Sequence, residues 1–246
     1  EGACVRWQAD GTVIVASGTS AQGQGHATAL AQIAAHALGV QFEVVHVVQG
    51  DTHRTPPGVG ALASRSIAIG GSAVLEAARQ VRQRRERGDP LPIECTVDYE
   101  APDEAWSSGC CVAAVSVDPE TGELAVEHFA LADDAGRLVN PRLVEGQLVG
   151  GFAQGLGQAL MEALVHDEDG QLLTGSLMDY AVPRAIDIPA LQIDGIESVS
   201  PANALGAKGV GEHSLIATAP AILRATLASA RKCWPMLMNK TVRPRR

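Results

Sequence analysis

The run GAKGVGEHSLIATAPAI, residues 206–222, sets one carboxylate, Glu212, between a glycine-rich turn and an apolar stretch with helical spacing. Two chemistries suit that placement. A carboxylate at a helix start stabilises the helix dipole by about 0.3–1 kcal/mol, with Lys208 as its solvated partner. A carboxylate flanked by glycines can also approach a ligand closely, and a base within reach of a substrate proton is what general base catalysis requires. Two further loops carry groups that hold anions. SGTSAQGQGHAT, residues 17–28, leaves an apolar strand and enters a helix, so its backbone N–H groups and the helix dipole favour negative charge. ALASRSIAIGG, residues 61–71, places Ser64, Arg65 and Ser66 before another helix, a second oxyanion cradle or an ordinary capped loop.

The first loop has a P-loop's position but not its parts. Gln24 stands where the P-loop lysine belongs, and Gly25 replaces the following Ser/Thr. Without an ammonium for the terminal phosphates or a hydroxyl for magnesium, nucleotide hydrolysis lacks its key groups. Gln22 and Gln24 instead offer amides that both donate and accept, which suits the edge of a heterocycle.

These loops need rigid elements to place them. TVIVAS (12–17) and FEVVHVV (42–48) are apolar and β-branched, as buried strands are. HATALAQIAAHAL (26–38) has the stripe of a helix and meets Gly39 as a stop. Ser72 is placed to cap a helix running to about Arg85. RGDPLP (87–92) breaks the pattern and marks the expected boundary between a first lobe, 1–88, and a second, 89–246, that carries Glu212. CCVAAVSV and ELAVEHFAL flank DPETG as a β-hairpin does. Asn140 and Pro141 sit at a helix N-cap and first turn. The following run to Leu164 has helical spacing but contains Gly146, Gly150, Gly151, Gly155 and Gly157. Each glycine in a helix interior costs ~1 kcal/mol against alanine, so five imply a broken helix or very close packing. AQGQGHATALAQI and AQGLGQALMEAL suggest a weak internal duplication. Strands mixed with helices and hairpins favour an α+β architecture with mixed sheets and packed helices.

A formal charge of -9 and 3% aromatic residues argue against nucleic acid or an anionic membrane as partner. No apolar run reaches the ~18 residues of a membrane span, and no signal peptide is visible. The five cysteines show no CxxC pair and no zinc-like spacing. They are expected to be free thiols in a reducing, cytoplasmic compartment, with no protein ligand set for a metal. The chain begins with Glu1, as a processed protein or a piece of a longer one would.

Taken in order, GTSAQGQGHATALAQIAAHALG, GDT with PPGVGALASRSIAIGGSAV, GRLVNPRLVEGQLVGGFAQGLGQALMEAL, LMDY and KGVGEHSLIATAPAI resemble successive signatures of the molybdenum hydroxylase (xanthine oxidase) family. The likeness is greatest to its aerobic carbon monoxide dehydrogenase and bacterial N-heterocycle dehydrogenase branch. It spans nearly the whole chain but only the C-terminal portion of the family's large subunit. The resemblance implies a molybdenum-cofactor-binding domain fold and a molybdopterin cofactor carrying molybdenum, in the cytosine dinucleotide form. It implies that Gln22, Gly23, Gln24, Gly25 and His26 contact the cofactor near its metal end. Ala63, Ser64, Arg65 and Ser66 would hold pterin and phosphate, and Gln154 would lie beside the pterin. Lys208, Gly209 and Gly211 would border the cofactor, and Glu212 would be the catalytic base. The implied partners are the complementary N-terminal half of the subunit, an Fe-S subunit and an FAD subunit, since neither an iron–sulfur cysteine pattern nor a flavin segment is visible here. Substrates left open are N-heterocycles, aldehydes and carbon monoxide. The alternatives are a non-catalytic binding or assembly module that kept the cofactor-like loops, and a domain binding an ordinary nucleotide.

Overall fold

Valines 5, 13 and 15 are wholly buried and alternate with outward residues, the period-2 pattern of a sheet packed on one face. They belong to β1 (Gly2–Trp7) and β2 (Val13–Ser17) in the computed structural model, which describes the backbone of residues 1–241 and side chains of residues 1–230. With β3 (Val45–Val48) and β4 (Ile93–Asp98) they form a sheet of order β3-β2-β1-β4. β1 runs antiparallel to β2 and β4, while β2 and β3 are parallel. Two helices, α1 (His26–Leu38) and α2 (Ser72–Glu86), bury Leu30, Ala34, Val74, Ala77, Ala78 and Val81 against it. Because β2 and β3 are parallel neighbours, the loops that leave their C-terminal ends, 18–25 and 49–65, emerge at the same edge of the sheet.

Contacts group the chain into two units. The first comprises Glu1–Ser108, Asp134–Gln147 and Ile196–Gly211. The second comprises Gly109–Asp133, Leu148–Gly195 and Glu212 onward. The expected lobe boundary at 88/89 therefore falls inside the first unit. The physical reason is backbone pairing: β4 lies beyond the RGDPLP break, yet it saturates the open edge of β1 from Gly2↔Asp98 to Trp7↔Ile93.

Two local expectations also change. Phe42–Val44 form a single 3-10 turn, so the strand expected over 42–48 is only Val45–Val48. Ser72 does not cap a helix: a π-helical turn, Ser66–Gly71, already precedes it. Its buried hydroxyl instead donates to Ala68 O (2.6 Å) and accepts from Leu205 N (3.3 Å), tying α2 to a distant loop.

In the second unit, β5 (Ser108–Val117) and β6 (Leu124–Asp134) flank the DPETG turn as the hairpin pattern predicts, and β7 (Leu191–Gly195) joins β6 in parallel. The helix α3 (Pro141–Leu160) starts where Asn140 suggests, with the Asn140 side chain accepting from Leu143 N at 3.1 Å. Its glycines do not break it. Gly151 and Gly155 face α4 (His213–Thr241), and a Cβ on Gly155 would lie 2.6 Å from Thr218 Cβ. Gly146 and Gly150 have open space around them. The rings of Phe129 of β6 and Phe152 of α3 pack at a tilt of 54°, centroids 4.5 Å apart, in this unit's interior.

Among the described residues, no helix is long and apolar enough to cross a membrane. Cys4, Cys95, Cys110 and Cys111 are free thiols, and the side chain of Cys233 lies outside the described residues.

Candidate functional site

The first loop delivers an uncapped helix start. Gly25 stands at the N-cap of α1 in a left-handed conformation (φ 80°), and no side chain caps the first-turn N–H groups. Those donors suit an anion. Glycine is required on two counts: the positive φ, and a Cβ that would come within 2.6 Å of Leu143 Cδ2 on α3. Gln22 and Gln24 brace each other, Gln22 N–H donating to Gln24 Oε1 (2.6 Å) and Gln24 Nε2 to Gln22 Oε1 (3.4 Å). Gly23 between them is exposed, with nothing near the place of a Cβ. His26 is buried, and burial lowers its pKa against a weaker opposing bond to the Ser20 backbone. A neutral imidazole agrees with the positive end of the α1 dipole. Its buried Nδ1 has no hydrogen-bond partner among the described residues.

The second loop is strained where it turns. Ala63 and Ser64 both have positive φ (50° and 55°), a region that non-glycine residues seldom enter. Arg65 follows in the right-handed region (φ -92°). Such a change of hand turns successive N–H groups toward a common point, the geometry of an anion-binding nest. The Arg65 guanidinium donates to Glu1 Oε1 at 2.6 Å, so backbone amides supply most of the loop's attraction for an anion. Ser66 is buried as the first residue of the π-helical turn.

The third loop is built against the second. Asn203 accepts from Gly206 N (2.9 Å) and Ala207 N (3.2 Å), and Ala207 pairs across to Gly136. This organised turn carries Gly209 and Gly211 onto Ser64. A Cβ on Gly209 would sit 2.9 Å from Ser64 Cβ, and one on Gly211 would sit 3.3 Å from Ser64 Oγ and 3.5 Å from Gln147 Oε1. Gln147 and Leu143 are one turn apart on the same face of α3. Within the first unit, then, loop one packs on α3 at Leu143, and loops two and three meet at Gln147.

Lys208 is held differently from expectation. Its ammonium donates to Asp134 Oδ2 and to Ser198 Oγ, both at 2.7 Å. Burial alone would raise the Asp134 pKa, but the bonds from Lys208, Ser198 and the Gly136 and Ser198 N–H groups outweigh it and hold the carboxyl well below the usual range. Lys208 thus fixes the loop that carries Gly209 and Gly211.

All the sequence-proposed site residues except Gln154 and Glu212 fall in the first unit. In the second, Gln154 is an exposed residue of α3. Glu212 is exposed and immediately precedes α4, where its carbonyl accepts from Ile216 N at 3.4 Å. The helix-start placement therefore holds. Sequence reasoning missed Gln147, although it lies in the quoted run VEGQLVGG at i+4 from Leu143. It also missed the adjacent pair Asp133 and Asp134, whose signal was two acids closing an apolar strand.

Among the described residues, the loops offer backbone amides without a side-chain cap, hydroxyls, carboxamides and an imidazole nitrogen with no hydrogen-bond partner, while Arg65 and Lys208 are held by carboxylates. That set suits an anion and a polar ligand edge. Comparison with known proteins agrees with it. Residues 1–90 and 89–189 match the family model described as "Molybdopterin cofactor-binding domain". The chain is 30% identical over 268 residues to the carbon monoxide dehydrogenase large chain of Hydrogenophaga pseudoflava, covering 91% of this chain and 33% of that one. It is 32% identical over 271 residues to the nicotine 6-hydroxylase large subunit of Paenarthrobacter nicotinovorans, with the same coverage. Among solved structures it resembles quinoline 2-oxidoreductase from Pseudomonas putida 86 (TM-score 0.87, 32% identity, 94% of this chain and 36% of that). Reconstituted CO dehydrogenase from Oligotropha carboxidovorans gives a TM-score of 0.89 at 26% identity, over 94% of this chain and 34% of that. The chain spans about a third of the length of these relatives.

Proposed function

Because the chain belongs to the molybdopterin cofactor-binding domain family, we propose that it forms part of the large subunit of a working molybdenum hydroxylase, with Glu212 as the catalytic base. In this reading Gln22–His26, Ala63–Ser66, Gln154, Lys208, Gly209 and Gly211 hold the cofactor in its cytosine dinucleotide form. The observation that carries the reading is that loop one packs on α3 at Leu143 and loops two and three meet at Gln147 one turn on, with a Cβ on Gly25 crowding Leu143 and one on Gly209 crowding Ser64. The donor set supports it too. The nest at Ser64 and the uncapped start of α1 suit phosphate, the Gln22 and Gln24 amides suit a pterin edge, and His26 Nδ1 lacks a partner among the described residues. When bound, the cofactor supplies the centre that accepts two electrons from the substrate.

Each protein group then has a task. The carboxamides and backbone amides orient the ligand without net charge. Lys208, locked by Asp134, keeps the glycine turn in place. Glu212 takes the proton that substrate oxidation releases, from its place immediately before α4. The substrate is a small N-heterocycle, an aldehyde or carbon monoxide. Electrons leave to Fe-S and FAD partner subunits, and the rest of the large subunit completes the pocket. The names of the relatives support these classes, since they include a nicotine hydroxylase and carbon monoxide dehydrogenases.

The test uses the assembled enzyme. Mass analysis of the extracted ligand should give a pterin dinucleotide, and a plain nucleotide would overturn the cofactor assignment. Glu212→Gln should lower turnover by about 10²–10⁴-fold at unchanged molybdenum content, the usual contribution of a general base. Unchanged turnover would remove Glu212 from the chemistry and favour a non-catalytic assembly module.

A further inference from the structure

His213 and Asp133 make a buried pair that the proposed chemistry does not use. The His213 Nδ1 lies directly against Asp133 Oδ1, with side-chain exposures of 13% and 4%. That ion-pair contact is what each atom has to satisfy it, since neither has a hydrogen-bond partner among the described residues. The ring rests on the start of β5, where a Cβ on Gly109 would come 2.5 Å from His213 Cε1 and 2.8 Å from Nε2. The next residue, Ser214, is wholly buried and donates to Leu148 O of α3 at 2.8 Å. The first two residues of α4 are therefore bolted to two different elements of the second unit, β6 and α3. Glu212 is the residue immediately before them.

We propose that Asp133 and His213 are a positioning pair for Glu212: the Asp133 carboxylate accepts the Nδ1–H of His213 and pins the first turn of α4 to the end of β6. The backbone that carries the Glu212 carboxylate is thereby fixed in place and direction. Neither residue touches a substrate in this role. The physical need is specific. A carboxylate on a glycine-flanked turn has many accessible directions, and proton transfer requires one of them. Anchoring the following residue by a buried ring narrows the directions open to the backbone that carries Glu212. The bond also sets the tautomer of His213, with the proton on Nδ1.

The inference rests on Glu212 being the base, and two independent readouts separate the two ideas. The first needs no cofactor: amide hydrogen exchange of Ile216 and Ala217, whose N–H groups bond within the first turn of α4, in the chain itself. Asp133→Ala and His213→Ala should speed it by about tenfold, while His213→Asn, whose amide N–H stands where Nδ1–H stood, should restore most of the protection. The second is turnover of the assembled enzyme at equal molybdenum content. There Asp133→Ala and His213→Ala should lower kcat by about tenfold to a hundredfold at unchanged KM, with recovery in His213→Asn. Unaltered exchange in both alanine variants would overturn the pair, whatever Glu212→Gln does. Faster exchange with unaltered kcat would overturn the positioning role and leave only a structural pin. If instead Glu212→Gln keeps full turnover while exchange responds as expected, the base assignment fails and the pin stands.

Discussion

Lys208→Met tests how the glycine turn beside Ser64 is held. Lys208 and Asp134 are nearly inaccessible, with side-chain exposures of 14% and 6%, so solvent screens their pairing little. Removing one partner of a buried ion pair costs about 3–5 kcal/mol, because the other charge stays buried. Asp134 would keep the Gly136 N–H (3.0 Å), the Ser198 N–H (3.1 Å) and the Ser198 hydroxyl. Those bonds offset part of the loss, which leaves an expected destabilisation of about 2–3 kcal/mol at pH 7. The pH dependence has a definite sign. The carboxyl of Asp134 is depressed in the folded state, so its stabilisation is present above the unfolded value and is lost as pH falls toward the folded one. The gap between wild type and Lys208→Met should therefore be constant from pH 7 to 5 and shrink steadily below about pH 4, the ordinary aspartate value. Urea unfolding at pH 7, 5 and 3 measures it. A loss under about 0.5 kcal/mol, or one of the same size at pH 7 and pH 3, would refute the account of Lys208 as a buried anchor, since surface pairs behave that way.

The remaining expectations concern packing and reactivity. Gly25→Ala meets both a left-handed backbone and Leu143 Cδ2 at 2.6 Å, so thermal unfolding should show a loss of about 1–3 kcal/mol, partly recovered by Leu143→Ala. On α3 two glycines should respond with opposite signs. Gly155→Ala drives a methyl into Thr218 and should cost about 1–3 kcal/mol, whereas Gly150→Ala enters open space and should gain about 0.5–1 kcal/mol. Equal effects at the two sites would show that helix packing does not explain the glycines. Burial, with smaller contributions from Cys110 and Asp133, pushes the Cys111 thiol up to about 11. Of the adjacent pair, exposed Cys110 should therefore be labelled first by a thiol reagent at pH 8, read by peptide mass, and preferential labelling of Cys111 would contradict its burial.

What the sequence determined by itself was local. Gly39 closes α1 in a left-handed conformation, and its N–H donates to Ala35 O. Asn140 receives the Leu143 N–H, and the DPETG hairpin forms between β5 and β6. Each of these depends on backbone preferences within a few residues, which leave their mark in composition and spacing. The motifs that resemble a cofactor-binding family were legible for the same reason: each loop is short and contiguous. Only tertiary structure decided what those loops touch. Nothing near Lys208 in the chain names Asp134, 74 residues away, as its partner. Five glycines in α3 look alike in sequence, yet Gly155 meets Thr218 and Gly150 meets nothing. The RGDPLP break looks like a boundary from its glycine and prolines, yet β4 just beyond it pairs with β1, some 90 residues earlier. Side-chain partners and strand neighbours are set by which surfaces the whole chain brings together, and a single sequence records the surfaces but not their meeting.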